Sequence, residues 1–258
     1  MNFKHLLYDR KNGLAKVVIN NPEKRNALHL ELRYELIDLF AGLRDDDDVK
    51  AVLLTGAGGH FSSGGDIQTM EGVTAVAGRR RLKTGQRLVR AMVELEKPIV
   101  TAVRGFAAGA GASIALASDF IIASEEARFS LGFVRIGLVP DWGLFYFLPL
   151  RIGLTRAKEL MMTGDPIKAP EAERIGLINK VVPDDKLDEE AEAWAARFAS
   201  GPGQALAMIK MALNRLPTSL EALMEMESTM QSVAFTSDDF DEGRRSFLEK
   251  RKPDFKGK

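Results

Sequence analysis

The chain has 258 residues, 45% hydrophobic and 28% charged, an ordinary globular composition with room for one large domain or two small ones. Its 36 Lys and Arg balance its 36 Asp and Glu, which argues against nucleic acid or an anionic membrane surface as the main partner. With no cysteine, disulfides, thiolate metal sites and cysteine nucleophiles are excluded. With no long apolar run, neither a signal peptide nor a transmembrane helix is expected, and a soluble cytoplasmic protein is the default.

Two short strands are predicted first, His5–Asp9 and Leu14–Asn20, joined across Asn12-Gly13 as a hairpin. Asn21-Pro22 then breaks the strand. His29–Leu43 carries Leu32, Leu36, Leu39, Phe40 and Leu43 at helical spacing. The acidic run Asp45–Asp48 reads as a solvated loop. Ala51–Thr55 is an apolar run that reads as a buried strand, and it leads through Gly56, Gly58 and Gly59 into Phe61-Ser62-Ser63-Gly64-Gly65-Asp66-Ile67. Two adjacent glycines after a strand let the backbone take positive φ and approach a ligand closely. A peptide N–H aimed outward in this way is half of an oxyanion hole.

Arg79–Glu96 reads as a basic amphipathic helix that stops before Pro98; its basic face suits solvent, and a membrane-surface role is the alternative. Ile99–Val103 is the next predicted strand, followed by a second glycine turn, Gly105–Gly111, that opens a small-residue helix over Ala110–Ala117. Phe120–Ala123 is another strand, and strands alternating with helices point to a largely parallel sheet. Helical patterns then dominate: Thr155–Met162, Leu187–Ser200, Gln204–Leu216, Leu220–Phe235 and Asp239–Lys250. A boundary is expected near residue 200, with a core over 1–200 and a helical region over 201–258.

Two familiar signatures fail. Gly109-Ala-Gly111 is not followed by a glycine or alanine at position 114, which is Ile, so a dinucleotide fingerprint is absent. The three histidines, His5, His29 and His60, lack metal-ligand spacing, and His60 is too close in sequence to Ser62 and Ser63 to serve as their base. No metal and no tightly bound cofactor are expected.

The two glycine turns together resemble those of the enoyl-CoA hydratase/isomerase (crotonase) superfamily, over nearly the whole chain. Asn21–Leu28 resembles that family's first CoA-contacting loop, Phe61–Ile67 and Gly105–Gly111 its two oxyanion segments, and Phe235–Pro253 its C-terminal signature. The resemblance implies an α/β spiral of ββα units with a C-terminal helical trimerisation region, assembled as a homotrimer or a dimer of trimers. It also implies an acyl-CoA substrate, so that coenzyme A enters as part of the substrate. The thioester oxygen would sit between the N–H groups of Gly65 and Ala110. Arg25, Ala27, Leu28, Ser63, Asp66, Ile67, Gln68, Phe133 and Lys250 would line the substrate, with Arg25 and Lys250 either paired with CoA phosphates or left as solvated charges.

An oxyanion hole stabilises an enolate but moves no proton. The resemblance places the hydratases' two glutamates at Ser113 and Phe133, neither of which is a carboxylate, so simple hydration is poorly supported. It leaves one acid in a suitable position, Asp141, where the family's enoyl-CoA isomerases and ring-epoxide isomerases carry an acidic residue. A single acid/base suits a 1,3-proton shift. The competing reading makes Asp141 the cap of a helix beginning near Trp142. A dehalogenase-like role would need a histidine where Arg90 stands, and a binding module without turnover would not need Asp141 at all. Phe133, Trp142 and Phe145 are expected to desolvate the carboxyl and raise its pKa.

Overall fold

Asn12 and Gly13 both adopt positive φ, 53° and 77°, the geometry that turns a chain within two residues and matches strand twist. They join β1 (Leu6–Lys11) to β2 (Leu14–Ile19) as the expected antiparallel hairpin. The computed structural model describes residues 3–257; Met1, Asn2 and Lys258, the first two within the N-terminal stretch tested for a signal peptide, lie outside the described residues. The chain continues through α1 (Leu30–Arg44), β3 (Ala51–Gly56), α2 (Ala75–Val93), β4 (Ile99–Val103), β5 (Phe106–Ala108), α3 (Ala110–Leu116), β6 (Phe120–Ser124) and β7 (Arg128–Ser130). It then forms α4 (Leu144–Thr163), β8 (Ile167–Lys168), α5 (Ala169–Arg174), β9 (Lys180–Val182) and α6 (Leu187–Ala199), followed by α7 (Gly203–Leu213), α8 (Leu220–Ala234) and α9 (Asp238–Leu248).

The larger sheet has the order β1-β2-β3-β4-β6-β9 and is parallel beyond its first pair. Both of its faces are covered, which is why β3 and β4 are almost wholly buried apolar runs. Val52 and Leu54 of β3 face the main core, while Leu53 between them joins Val100, Ala102 and Ile122 against α6. A second sheet has the order β5-β7-β8, its first two strands following β4 and β6 in the chain.

Helix α2 begins at Ala75, four residues before the expected Arg79, because Thr74 Oγ1 accepts from the Ala77 N–H at 3.3 Å and caps it there. Helix α4 begins at Leu144 rather than Thr155. Gly153, with φ 74° and ψ 160°, interrupts it and separates the segment recognised from periodicity from the turns before it. Strands β5, β7, β8 and β9 have two or three residues each, too few to show a period.

The C-terminal helices are tied to the sheet by a buried charge. Lys210 of α7 places its ammonium 2.8 Å from the Asp119 carboxylate with 5% of its side chain exposed, and it also donates to the carbonyls of Met92 and Lys97. Burial lowers its pKa and Asp119 opposes that shift. Helix α8 buries none of its residues, and Leu220, Met224 and Val233 project from it exposed. No described helix is long and apolar enough to cross a membrane. Lys210→Ala leaves Asp119 without its buried partner and is expected to cost about 3 kcal/mol, read as a lower urea midpoint at unchanged slope.

Candidate active site

The first glycine turn is held against β5 by a single parallel bridge. Ser62 pairs with Ala107: its N–H donates to Phe106 O, and its carbonyl accepts from Ala108, both at 2.9 Å. The loop before α1 closes on the same segment. Leu28 N–H donates to Gly64 O at 2.7 Å, Ser63 N–H to Arg25 O at 2.9 Å, and the Ser62 hydroxyl to Asn26 O at 2.7 Å.

Gly64 then turns with φ +89°, and a Cβ there would lie 2.4 Å from Ala108 O and 3.2 Å from Ala110 N. Only glycine lets the two turns approach this closely. Gly65 and Ala110 consequently line one cavity of about 220 Å³. Neither of their N–H groups donates to a protein acceptor among the described residues, and Ala110 is the first residue of α3, where a free N–H is expected. The pair can therefore receive an oxygen that gains negative charge.

Asp141 lines the same cavity. It does not cap a helix: α4 starts at Leu144 with Gly143 as its cap, and no side chain bonds that end. One carboxylate oxygen, Oδ1, is buried without a hydrogen-bond partner. Burial raises the Asp141 pKa to about 6, against the opposing pull of Arg33 and Arg81. The reason for the shift differs in part from the expected one, since Phe145 is 61% exposed and does not line the cavity, whereas buried Phe133 and Trp142 do.

Ser113 lies behind Asp141, its hydroxyl 3.2 Å from the Asp141 and Gly109 carbonyls. It thus links the acid's backbone to the turn that presents Ala110. Phe133 is buried beside Gly109 and forms a wall. Trp142 takes φ +50° and is 3% exposed. Its indole fills the space where a Cβ of Gly85 would stand, 1.8 Å from the ring, so the glycine on α2 makes room for it.

Arg33 escaped the sequence reading. It sits on α1, 2% exposed, with its guanidinium 4.8 Å from the centroid of the Trp142 ring. Its Nε–H donates to Leu28 O at 2.7 Å. Burial pushes its pKa down to about 10, and Asp141 opposes that shift. One signal was available: Arg33 shares a helical face with buried Ile37 and Phe40, a register where a charge is out of place.

Of the predicted substrate contacts, Ser63, Ile67 and Phe133 line the cavity, but Arg25, Ala27, Leu28, Asp66, Gln68 and Lys250 do not. Leu28 is wholly buried in the core and acts through its backbone. Asp66 accepts from Gln68 N–H at 3.1 Å and caps the short turn Ile67–Met70. Arg25 and Lys250 are exposed. Elsewhere, ring nitrogens of His5 and His29 and a Glu31 oxygen lie within 4.8 Å of one another, a proximity that sequence spacing did not indicate. His5 already bonds Glu31 at 3.1 Å, and His29 accepts from Leu32 N–H.

Known proteins of similar sequence and shape bear directly on this geometry. The family model described as enoyl-CoA hydratase/isomerase matches residues 9–258. The chain is 35% identical to a crotonyl-CoA hydratase of Syntrophomonas wolfei, over 99% of each chain. It is 36% identical to a 1,2-epoxyphenylacetyl-CoA isomerase of Escherichia coli, over 95% of this chain and 96% of that one. The crystal structure of an enoyl-CoA hydratase from Bacillus anthracis superposes with a TM-score of 0.95 at 31% identity, covering 99% of this chain and all of the other. Gly64→Ala is expected to lower turnover of an acyl thioester about 100-fold or more by separating the two amides, with the helical circular dichroism retained; unchanged turnover would contradict the arrangement.

Proposed function

Since this chain belongs to the enoyl-CoA hydratase/isomerase family and has its crotonase fold, we propose that it catalyses a 1,3-proton shift in an enoyl-CoA thioester, with Asp141 as the single acid/base. The observation that carries this reading is Asp141 itself, the one carboxylate among the residues lining the cavity that Gly65 and Ala110 also line. The family resemblance supports it as well, since it sets Ser113 and Phe133 at the positions of the hydratases' glutamates.

The chemistry follows from the arrangement. The carboxylate takes a proton from C2 of a 3-enoyl thioester, and the electron pair of that C–H bond moves to the thioester oxygen. The amides of Gly65 and Ala110 hold the resulting enolate, each such donor contributing roughly 2.7–4 kcal/mol to the transition state. The carboxyl then returns the proton to C4, which leaves the double bond between C2 and C3 and restores the base. A pKa of about 6 suits this work, because the group is ionised at neutral pH yet basic enough to accept a carbon-bound proton.

The same reading gives the CoA phosphates to Arg25 and Lys250. It also joins three copies through the C-terminal helices, whose apolar side chains such as Met224, Phe235 and Phe247 stand exposed on one chain. Relatives named as hydratases and as isomerases are about equally similar, and the isomerase reading is supported by the single carboxylate of the cavity.

Asp141→Asn keeps the shape, disturbs no cap, and is expected to lower isomerisation about 100-fold or more, followed as the absorbance of the conjugated 2-enoyl product. An active Asn variant would remove Asp141 from the mechanism. The working form is the ionised one, so kcat/KM should rise with pH to a plateau above about 6. Below that it should fall about tenfold per pH unit, and a rate that climbs as the pH drops through this range would contradict the assignment.

A further inference from the structure

Arg33 carries more hydrogen-bonding capacity than the fold uses. Its Nε–H is bonded to Leu28 O, and its guanidinium carbon lies over the Trp142 ring. Neither interaction occupies the terminal N–H groups, which have no protein acceptor among the described residues. No carboxylate oxygen comes within ion-pairing distance of them there, that of Asp141 included. The side chain is nonetheless 2% exposed and lines the cavity. One terminal nitrogen would lie 3.9 Å from a Cβ built on Gly65, close to where the thioester oxygen is received.

An unmodified alkyl chain is a poor occupant for such a place. It would cover several N–H groups of a charged side chain and return no acceptor, which is costly away from water. The residues lining the cavity carry three charged groups, Arg33, Arg81 and Asp141, so positive charge exceeds negative even when Asp141 is ionised. Arg81 contributes charge but little bonding, because its nitrogens already donate to Thr69 Oγ1 and Asp66 O. Arg33 retains the open fork, which matches two oxygens held in one plane. Leu82, Ile136 and Leu138 supply apolar lining for the intervening methylenes.

We propose that Arg33 makes this cavity selective for acyl thioesters whose short acyl group carries a second carboxylate, which pairs with the terminal N–H groups of the guanidinium. The inference rests on the cavity being the acyl-CoA site, and it makes Arg33 a specificity-determining residue for that site.

The test is calorimetric titration of the full chain with succinyl-CoA and, separately, butyryl-CoA, which match in carbon count and differ in the terminal carboxylate. Succinyl-CoA is expected to bind about tenfold more tightly or better, and Arg33→Gln is expected to bring the two constants together. Equal constants, or tighter butyryl-CoA, in the unaltered protein would overturn the inference while leaving the acyl-CoA reading in place. A preference that survives in a folded Arg33→Gln protein would also overturn it. If neither thioester bound, the acyl-CoA reading would fall and take the inference with it. The unaltered protein alone decides the preference should the variant fail to fold.

Discussion

The close approach of Gly64 to Ala108 and Ala110 is the contact on which the site depends. One turn follows β3 and the other leads into α3, so the two amides belong to separate strand–turn units. They meet because Ser62 pairs with β5 and because Gly64 carries no side chain where one would strike Ala108 O. The loop 21–29 then locks the first turn through Leu28, Arg25 and Asn26. All of these are backbone-directed bonds, which suits a site whose main work is to hold N–H groups at fixed positions before charge develops.

Around that fixed pair the protein assembles an unusual set of buried charges. Asp141 keeps an unpartnered oxygen, a feature that costs stability and gains nothing structurally. Its backbone carbonyl, by contrast, is tied by Ser113 to α3. Trp142, held in a left-handed conformation, separates the acid's loop from α2 and offers its face to Arg33. The arrangement opposes two effects on one carboxyl: burial raises its pKa, while Arg33 and Arg81 restrain the rise. The balance near 6 keeps the acid basic without leaving it protonated at neutral pH. Ser113 supports the loop that carries this acid from behind.

Much of this was legible in the sequence, for identifiable reasons. The hairpin showed in Asn12-Gly13 because that dipeptide tolerates positive φ. The two glycine turns showed because close backbone approach demands glycine. The family resemblance set Ser113 and Phe133 at the positions of two carboxylates, and Asp141 remained as a candidate acid. Its competing role as a cap disappeared because the chain needs Trp142 and Gly143 to turn before the helix can start. Other features depend on tertiary contact. Arg33 shows its role only through its neighbours in the fold, and the glycine at 85 has a reason only once an indole lies against it. The Leu28 side chain lies in the core and its N–H supports Gly64, since a side chain's direction is set by the fold rather than by its place in a motif.

The central claim is that one buried carboxyl carries a proton between two carbons of the same thioester. A 3-enoyl-CoA labelled with deuterium at C2, converted in ordinary water and analysed by mass spectrometry of the 2-enoyl product, tests it most directly. The account predicts that a measurable share of the deuterium lost from C2 appears at C4. A 2-enoyl product with no label at C4, or a 3-hydroxyacyl thioester as the main product, would contradict it.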